Sequence, residues 1–207
     1  MRPRLTLVVL LLLALRALPA TACTLAPVPG EAQPLPNGAG VDGARLDATI
    51  RARVNLARCR AGLGALAPSS RLQHIAEAQG RWMAERRDLT HDGGPQGLAS
   101  LTERLAASGL PYRMGAENIA TASLYRVDGI TVYTGAKPCQ FRDANRRPIP
   151  VQSYASLADE VVAHWLASPP HRQNILTPGL RWTGAGAGFD RGGAMCGTFY
   201  VAQDFAG

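Results

Sequence analysis

The order of periodicities along this chain predicts an α+β fold. Two segments in the first half carry apolar residues at helical spacing, and a third helical run lies further on. Two apolar stretches around a glycine turn close the sequence as strands. Of the 207 residues, about 165 follow a proline-rich N-terminal region, enough for one domain with a full hydrophobic core.

Residues 5 to 15 are almost wholly apolar, with Arg2 and Arg4 before them and Pro19-Ala20-Thr21-Ala22 after. This is the charged, apolar, small-residue plan of a secretory signal peptide over residues 1–22. Arg16 interrupts the run, leaving it shorter than the roughly 20 residues a membrane span needs. No other long apolar run follows, so no transmembrane span is expected after cleavage. Prolines 27, 29, 34 and 36, interleaved with Gly30, Gly38 and Gly40, make residues 23–43 an N-terminal arm.

The globular domain is expected over 44–207. From Ala44 to Arg60, Leu46, Ile50, Val54 and Ala57 recur on one helical face, and Gly62 and Gly64 stop the helix. Pro68-Ser69-Ser70 opens a second helix, with Leu72, Ile75, Ala76, Gln79 and Met83 on one side and its end near Asp88. A third runs from Leu98 to Ala107 and stops at Ser108-Gly109; the segment from Tyr112 to Ala120 then leads into Glu117. Residues 121–154 are the least regular, with one strand expected at 129–134. Ser156 is placed as the cap of a helix reaching Ala167, which Pro169-Pro170 then stops. Strands are expected at 183–189 and 198–205 around Asp190-Arg191-Gly192-Gly193.

Cys23, Cys59, Cys139 and Cys196 permit two bridges in three connectivities. We favour Cys139 with Cys196 and Cys23 with Cys59, which suits an oxidising compartment. One bridge would tie the irregular segment to the C-terminal hairpin, and the other would pin the arm to the first helix. Cys23 would also be the first mature residue, where a bacterial lipoprotein carries its lipid, so an anchored form stands as the alternative to a secreted or periplasmic one.

The formal charge is +7. Loss of Arg2, Arg4 and Arg16 with the signal lowers it to +4, since residues 1–22 hold no acid. The arginines are dispersed, and no run of them alternates with aromatics as a nucleic-acid groove requires, so no nucleic-acid partner is expected.

Three motifs sit at expected element boundaries: Thr90-His91-Asp92, Gly115-Ala116-Glu117-Asn118-Ile119, and Ser168-Pro169-Pro170-His171-Arg172-Gln173-Asn174. Together with Asn55, the Ala158 to Trp165 run and the Thr198 to Phe205 ending, in that order, they resemble the CAP superfamily. This is the group of cysteine-rich secretory proteins, antigen 5 and pathogenesis-related 1 proteins (SCP-like domains), and the likeness is greatest to bacterial members. The resemblance covers about residues 44 to 207. It implies a three-layer α-β-α sandwich, a monomer, and a central cavity lined by His91, Glu117 and His171. In some members these positions hold a divalent cation.

Two imidazoles and a carboxylate are the donor types that suit zinc or another divalent ion. Asn118, Ser168 and Asn174 complete the expected cavity, the two amides chiefly satisfying loop backbone groups. Many family members carry a second acid three positions after the motif tryptophan; here Ser168 stands there, so the four-residue set is incomplete. Arg172 is expected to pair with Glu117 or Asp204, and His74 and His164 to lie on helix faces. Ser168 has no nucleophile-elbow motif around it, and no residue is assigned as catalytic.

Three functions follow. The first is an exported binding module with a His/Glu cavity and a groove for a lipid, peptide or envelope ligand. The second is a metal-dependent hydrolase of envelope or extracellular polymers, and the third a non-catalytic structural or interaction domain. The first is our expectation.

Overall fold

A computed structural model describes residues 22–37 and 40–207. The expected signal peptide lies outside the described residues except for Ala22. Among the described residues no helix is long and apolar enough to cross a membrane.

Helix α1 (Gly43–Arg60) starts where Asp42 accepts the Arg45 N–H at 3.0 Å. The two-residue strand β1 (Ala67–Pro68) follows, then α2 (Ser70–Arg86), capped by Ser69 and ended by Arg87 in the left-handed region. Helix α3 (Leu101–Ser108) begins later than its apolar pattern suggests, because Ser100 and Glu103 form a capping box there. Strand β2 (Gly115–Ser123) is the element that periodicity did not reveal. Glu117 to Ala120 are all buried, so no polar/apolar alternation marks it.

The irregular segment holds only a short hairpin, β3 (Tyr133–Thr134) against β4 (Phe141–Arg142), in place of one strand over 129–134. Helix α4 (Tyr154–Ala167) is capped by Ser153; Ser156 is the N3 partner of that cap, not the cap itself. Pro169-Pro170 open helix α5 (Pro169–Ile175) as well as ending α4, since proline in a first turn lacks only an N–H that has no helical acceptor. Strands β5 (Trp182–Asp190) and β6 (Thr198–Ala206) are joined by a turn containing a 3-10 segment at Ala194–Cys196.

The main sheet runs β1-β5-β6-β2, antiparallel except for β1 beside β5. One face packs against α1 and α4 through Leu46, Ile50, Val54, Leu157, Val161 and Trp165, meeting Phe199, Val201 and Phe205. The other meets α2 and α3 through Ala76, Met83, Leu72 and Leu105, against Ile119, Tyr200, Ala202 and Ala206. Helices therefore cover both faces, giving a three-layer α-β-α sandwich. Helix α2 lies directly on the β5 backbone: a Cβ on Gly184, Gly186 or Gly188 would stand 2.1–2.4 Å from backbone atoms of α2.

The N-terminal arm is docked. Leu35 is buried in the core, Pro34 bridges to Ser153, and Arg53 pairs with Glu31. Both bridges join the favoured partners, Cys23–Cys59 and Cys139–Cys196.

Candidate functional site

Strand β2 is the sheet edge, and the chain closes over that edge from both sides. His91 comes from the loop after α2 on one face. His171 comes from α5 in the helical layer on the other. Their ring centroids are 6.5 Å apart. Glu117 sits between the layers in β2, almost wholly buried, with Oε1 2.7 Å from His91 Nδ1. The carboxylate thereby selects the Nδ1–H tautomer of His91 and turns Nε2 outward.

The cation that balances Glu117 is Arg104, not Arg172. Arg104 is fully buried; Nη2 donates to Glu117 Oε1 at 2.9 Å and lies 2.9 Å from Oε2. The same guanidinium donates to the carbonyls of His91 (3.0 Å), Leu98 (2.9 Å) and Gly93 (3.4 Å). One side chain thus neutralises the carboxylate and shapes the loop that carries the histidine. Arg172 is exposed on α5.

Asp204 lies directly across from Glu117 in the β2–β6 register and is fully buried. Burial first, and then the Glu117 charge, push its carboxyl well above the usual range, while Arg104 opposes this. Asp204 therefore keeps its proton where an ordinary aspartate has lost it, and two carboxyl groups coexist because they are not both charged. Burial, followed by the neighbouring His91, lowers the His171 pKa and favours its neutral imidazole.

Asn118 and Asn174 weld α5 to β2. Asn118 Nδ2 donates to the His171 carbonyl at 3.2 Å, and Asn174 Nδ2 donates to Asn118 Oδ1 at 2.9 Å and to the Glu117 carbonyl at 3.0 Å. Trp165 Nε1 donates to the Ile119 carbonyl at 2.9 Å. Two carbonyls of an edge strand are thereby covered. Ser168 joins α4 to α5 through its backbone and makes no side-chain cap bond. From below, buried Arg58 of α1 donates to the carbonyls of Ile175 and Thr177 at the end of α5. His74 is exposed on α2, and His164 faces Asp128 at 3.1 Å, both away from the cluster.

The profile of the cysteine-rich secretory protein family, CAP, matches residues 51–205. The chain belongs to the CAP family. Among solved structures the CAP domain is similar to an extracellular protein containing an SCP domain from Bacillus anthracis, at 20% identity and a TM-score of 0.51 over 79% of this chain. This chain spans only 40% of that one. It is also similar to an outer surface protein of Borrelia burgdorferi, at 15% identity and a TM-score of 0.53, covering 82% of this chain and 98% of the other. At such identities the likeness is one of fold. A search of curated proteins finds no match.

As a metal site, the cluster fits in part. Among the described residues no group of three or more His, Cys, Asp and Glu is placed to hold an ion. Glu117 is already engaged by Arg104 and His91, so the donors that remain are the His91 Nε2 and the His171 ring. Two imidazoles would leave a bound cation open to water or to a ligand's own oxygens.

Proposed function

We propose that this CAP domain is an exported binding module. Its His91 and His171 take up a divalent cation such as zinc, and the adjoining surface accepts a lipid, peptide or envelope ligand. The observation that carries the reading is the Glu117–His91 contact at 2.7 Å, which holds one imidazole in place with its ring centroid 6.5 Å from that of the second histidine. Carboxylate-oriented histidines are the usual support of metal ligands. A bound cation would supply positive charge able to polarise a ligand oxygen. Glu117 and Arg104 orient the site and keep it neutral, and the Asn118–Asn174 pair sets the height of His171.

A hydrolytic reading would need a free general base, and Glu117 is already paired with Arg104. Export is supported by the two disulfides and by the extracellular and surface relatives. The Cys23 sulfur is bonded to Cys59, and the same sulfur cannot also form a lipid thioether, so we favour the free form over the anchored one.

Calorimetric titration of zinc into the purified domain tests the site. We expect one equivalent to bind, with affinity lost in His91→Ala and in His171→Ala while both remain folded. Glu117→Gln, which removes the carboxylate that orients His91, is expected to weaken zinc binding about 10–100-fold. Absence of binding by the wild type, or wild-type affinity retained in both histidine variants, rejects the metal assignment.

A further inference from the structure

A cleft lies away from the histidines, between α4 and the irregular segment. This open cleft has a volume of about 580 Å³, within the range of roughly 300–1,000 Å³ usual for ligand sites. Pro148, Ile149 and Pro150 give it an apolar side, and Ile130 is an exposed apolar residue at its rim. Its walls are already built. Arg126 N–H donates to the Pro150 carbonyl at 3.0 Å, Gln152 N–H to Leu124 at 2.7 Å and Ile149 N–H to Phe141 at 2.9 Å. The Cys139–Cys196 bridge clamps the segment to the turn between β5 and β6.

The charges of this cleft do not balance. Asp128, Asp143, Asp159 and Glu160 face it, against Arg126 and Arg147. Asp143 is matched by Arg147 at 2.9 Å and by two backbone N–H groups. Asp159 is bound by Arg53, which also serves Glu31. Among the described residues Asp128 is paired with His164, an imidazole that carries charge only when protonated. Half-buried Glu160 is held by the neutral amide of Gln152, a buried residue itself fixed by Ser156. Burial, and then the nearby Asp128 charge acting against the pull of Gln152, His164 and Arg126, raises the Glu160 carboxyl. An acidic, partly apolar cleft in a chain of formal charge +7 is a local reversal of sign, so its attraction for a cation does not come from the protein's overall field.

We propose that this cleft binds a basic side chain of a partner peptide, with the cationic head at Glu160 and Asp128 and the aliphatic stem along Ile130 and Ile149. A guanidinium matches the requirement best, because its planar donors fit carboxylates while its stem packs on apolar surface. A bare metal ion is a poor occupant, since no cage of three ligating side chains exists among the described residues.

Fluorescence anisotropy on the disulfide-intact protein tests this, using a fluorescein-labelled, end-capped Leu-Arg-Leu-Arg peptide and the same peptide with citrulline for arginine. We expect saturable binding of the arginine peptide, at least tenfold weaker binding of the citrulline peptide, and at least tenfold loss in Glu160→Gln. Asp128 is on the surface, so Asp128→Arg keeps the fold and is expected to abolish binding. His91→Ala should bind as the wild type does. The proposal is overturned by absence of binding to the wild type, by equal affinity for both peptides, by unaltered binding in Asp128→Arg, or by spermine binding as tightly as the peptide.

Discussion

At the level of single residues, the site depends most on Arg104, which no motif contains, and on Asp204 in the C-terminal strand. Arg104 is a guanidinium of zero exposure paired with a nearly inaccessible carboxylate. Removing one partner of such a pair leaves an uncompensated buried charge. Arg104→Met should therefore lower unfolding free energy by about 3–5 kcal/mol, measured by urea denaturation. Asp204 gives a pH signature. Its folded pKa is raised, so the folded state holds a proton that the unfolded state releases. The stability from this group is full below the ordinary aspartate range and is lost as pH rises through the raised folded value. Asp204→Asn should flatten that decline, and urea midpoints from pH 4 to 8 in wild type and variant will show it. His91, Glu117, His171 and the two asparagines were legible because they sit in ordered motifs at element ends. Arg104 was not, because a single arginine in an amphipathic helix looks like a solvated one until the fold turns it inward.

At the level of elements, caps and breakers spoke more clearly than periodicity did. Serine placed the start of α2, and glycine the ends of α1 and α3, to within a few residues. The α4 cap was misplaced because Ser153 and Ser156 are both serines and both belong to the capping box. Ser153→Ala should cost about 1 kcal/mol, readable as a lower thermal midpoint. Strand β2 left no period-2 signal because helices bury both of its faces. The glycines of β5 show the same effect in another form: their alternation at 184, 186 and 188 is a landing surface for α2. Gly186→Ala would bring a Cβ to 2.4 Å from the Glu77 backbone nitrogen. Overpacking of this kind costs about 1–3 kcal/mol, and Gly186→Ala should melt at a lower temperature than Gly64→Ala, where there is open space.

At the level of the whole molecule, helix and strand content in mixed order predicted α+β, while the three-layer arrangement came from the resemblance of the ordered motifs to the CAP family. Pattern alone could not supply it, since which face a helix covers depends on sheet order. The bridges act at this scale too. Replacing Cys139 and Cys196 by serine should lower stability by about 2–4 kcal/mol and loosen the segment from 124 to 150, seen as faster amide hydrogen exchange there than in β6.

The two imidazoles arrive from opposite layers and meet only over the outer edge of β2. In sequence they lie on either side of the irregular segment, with His91 before it and His171 after it. Cutting the chain within that segment, at the exposed Asn145 for example, and reducing the Cys139–Cys196 bridge that spans the cut, would give two fragments that each hold one imidazole of the proposed ligand pair. Zinc capture would then report reassembly of the fragments, so that a small inorganic ion would count how many molecules had closed all three layers.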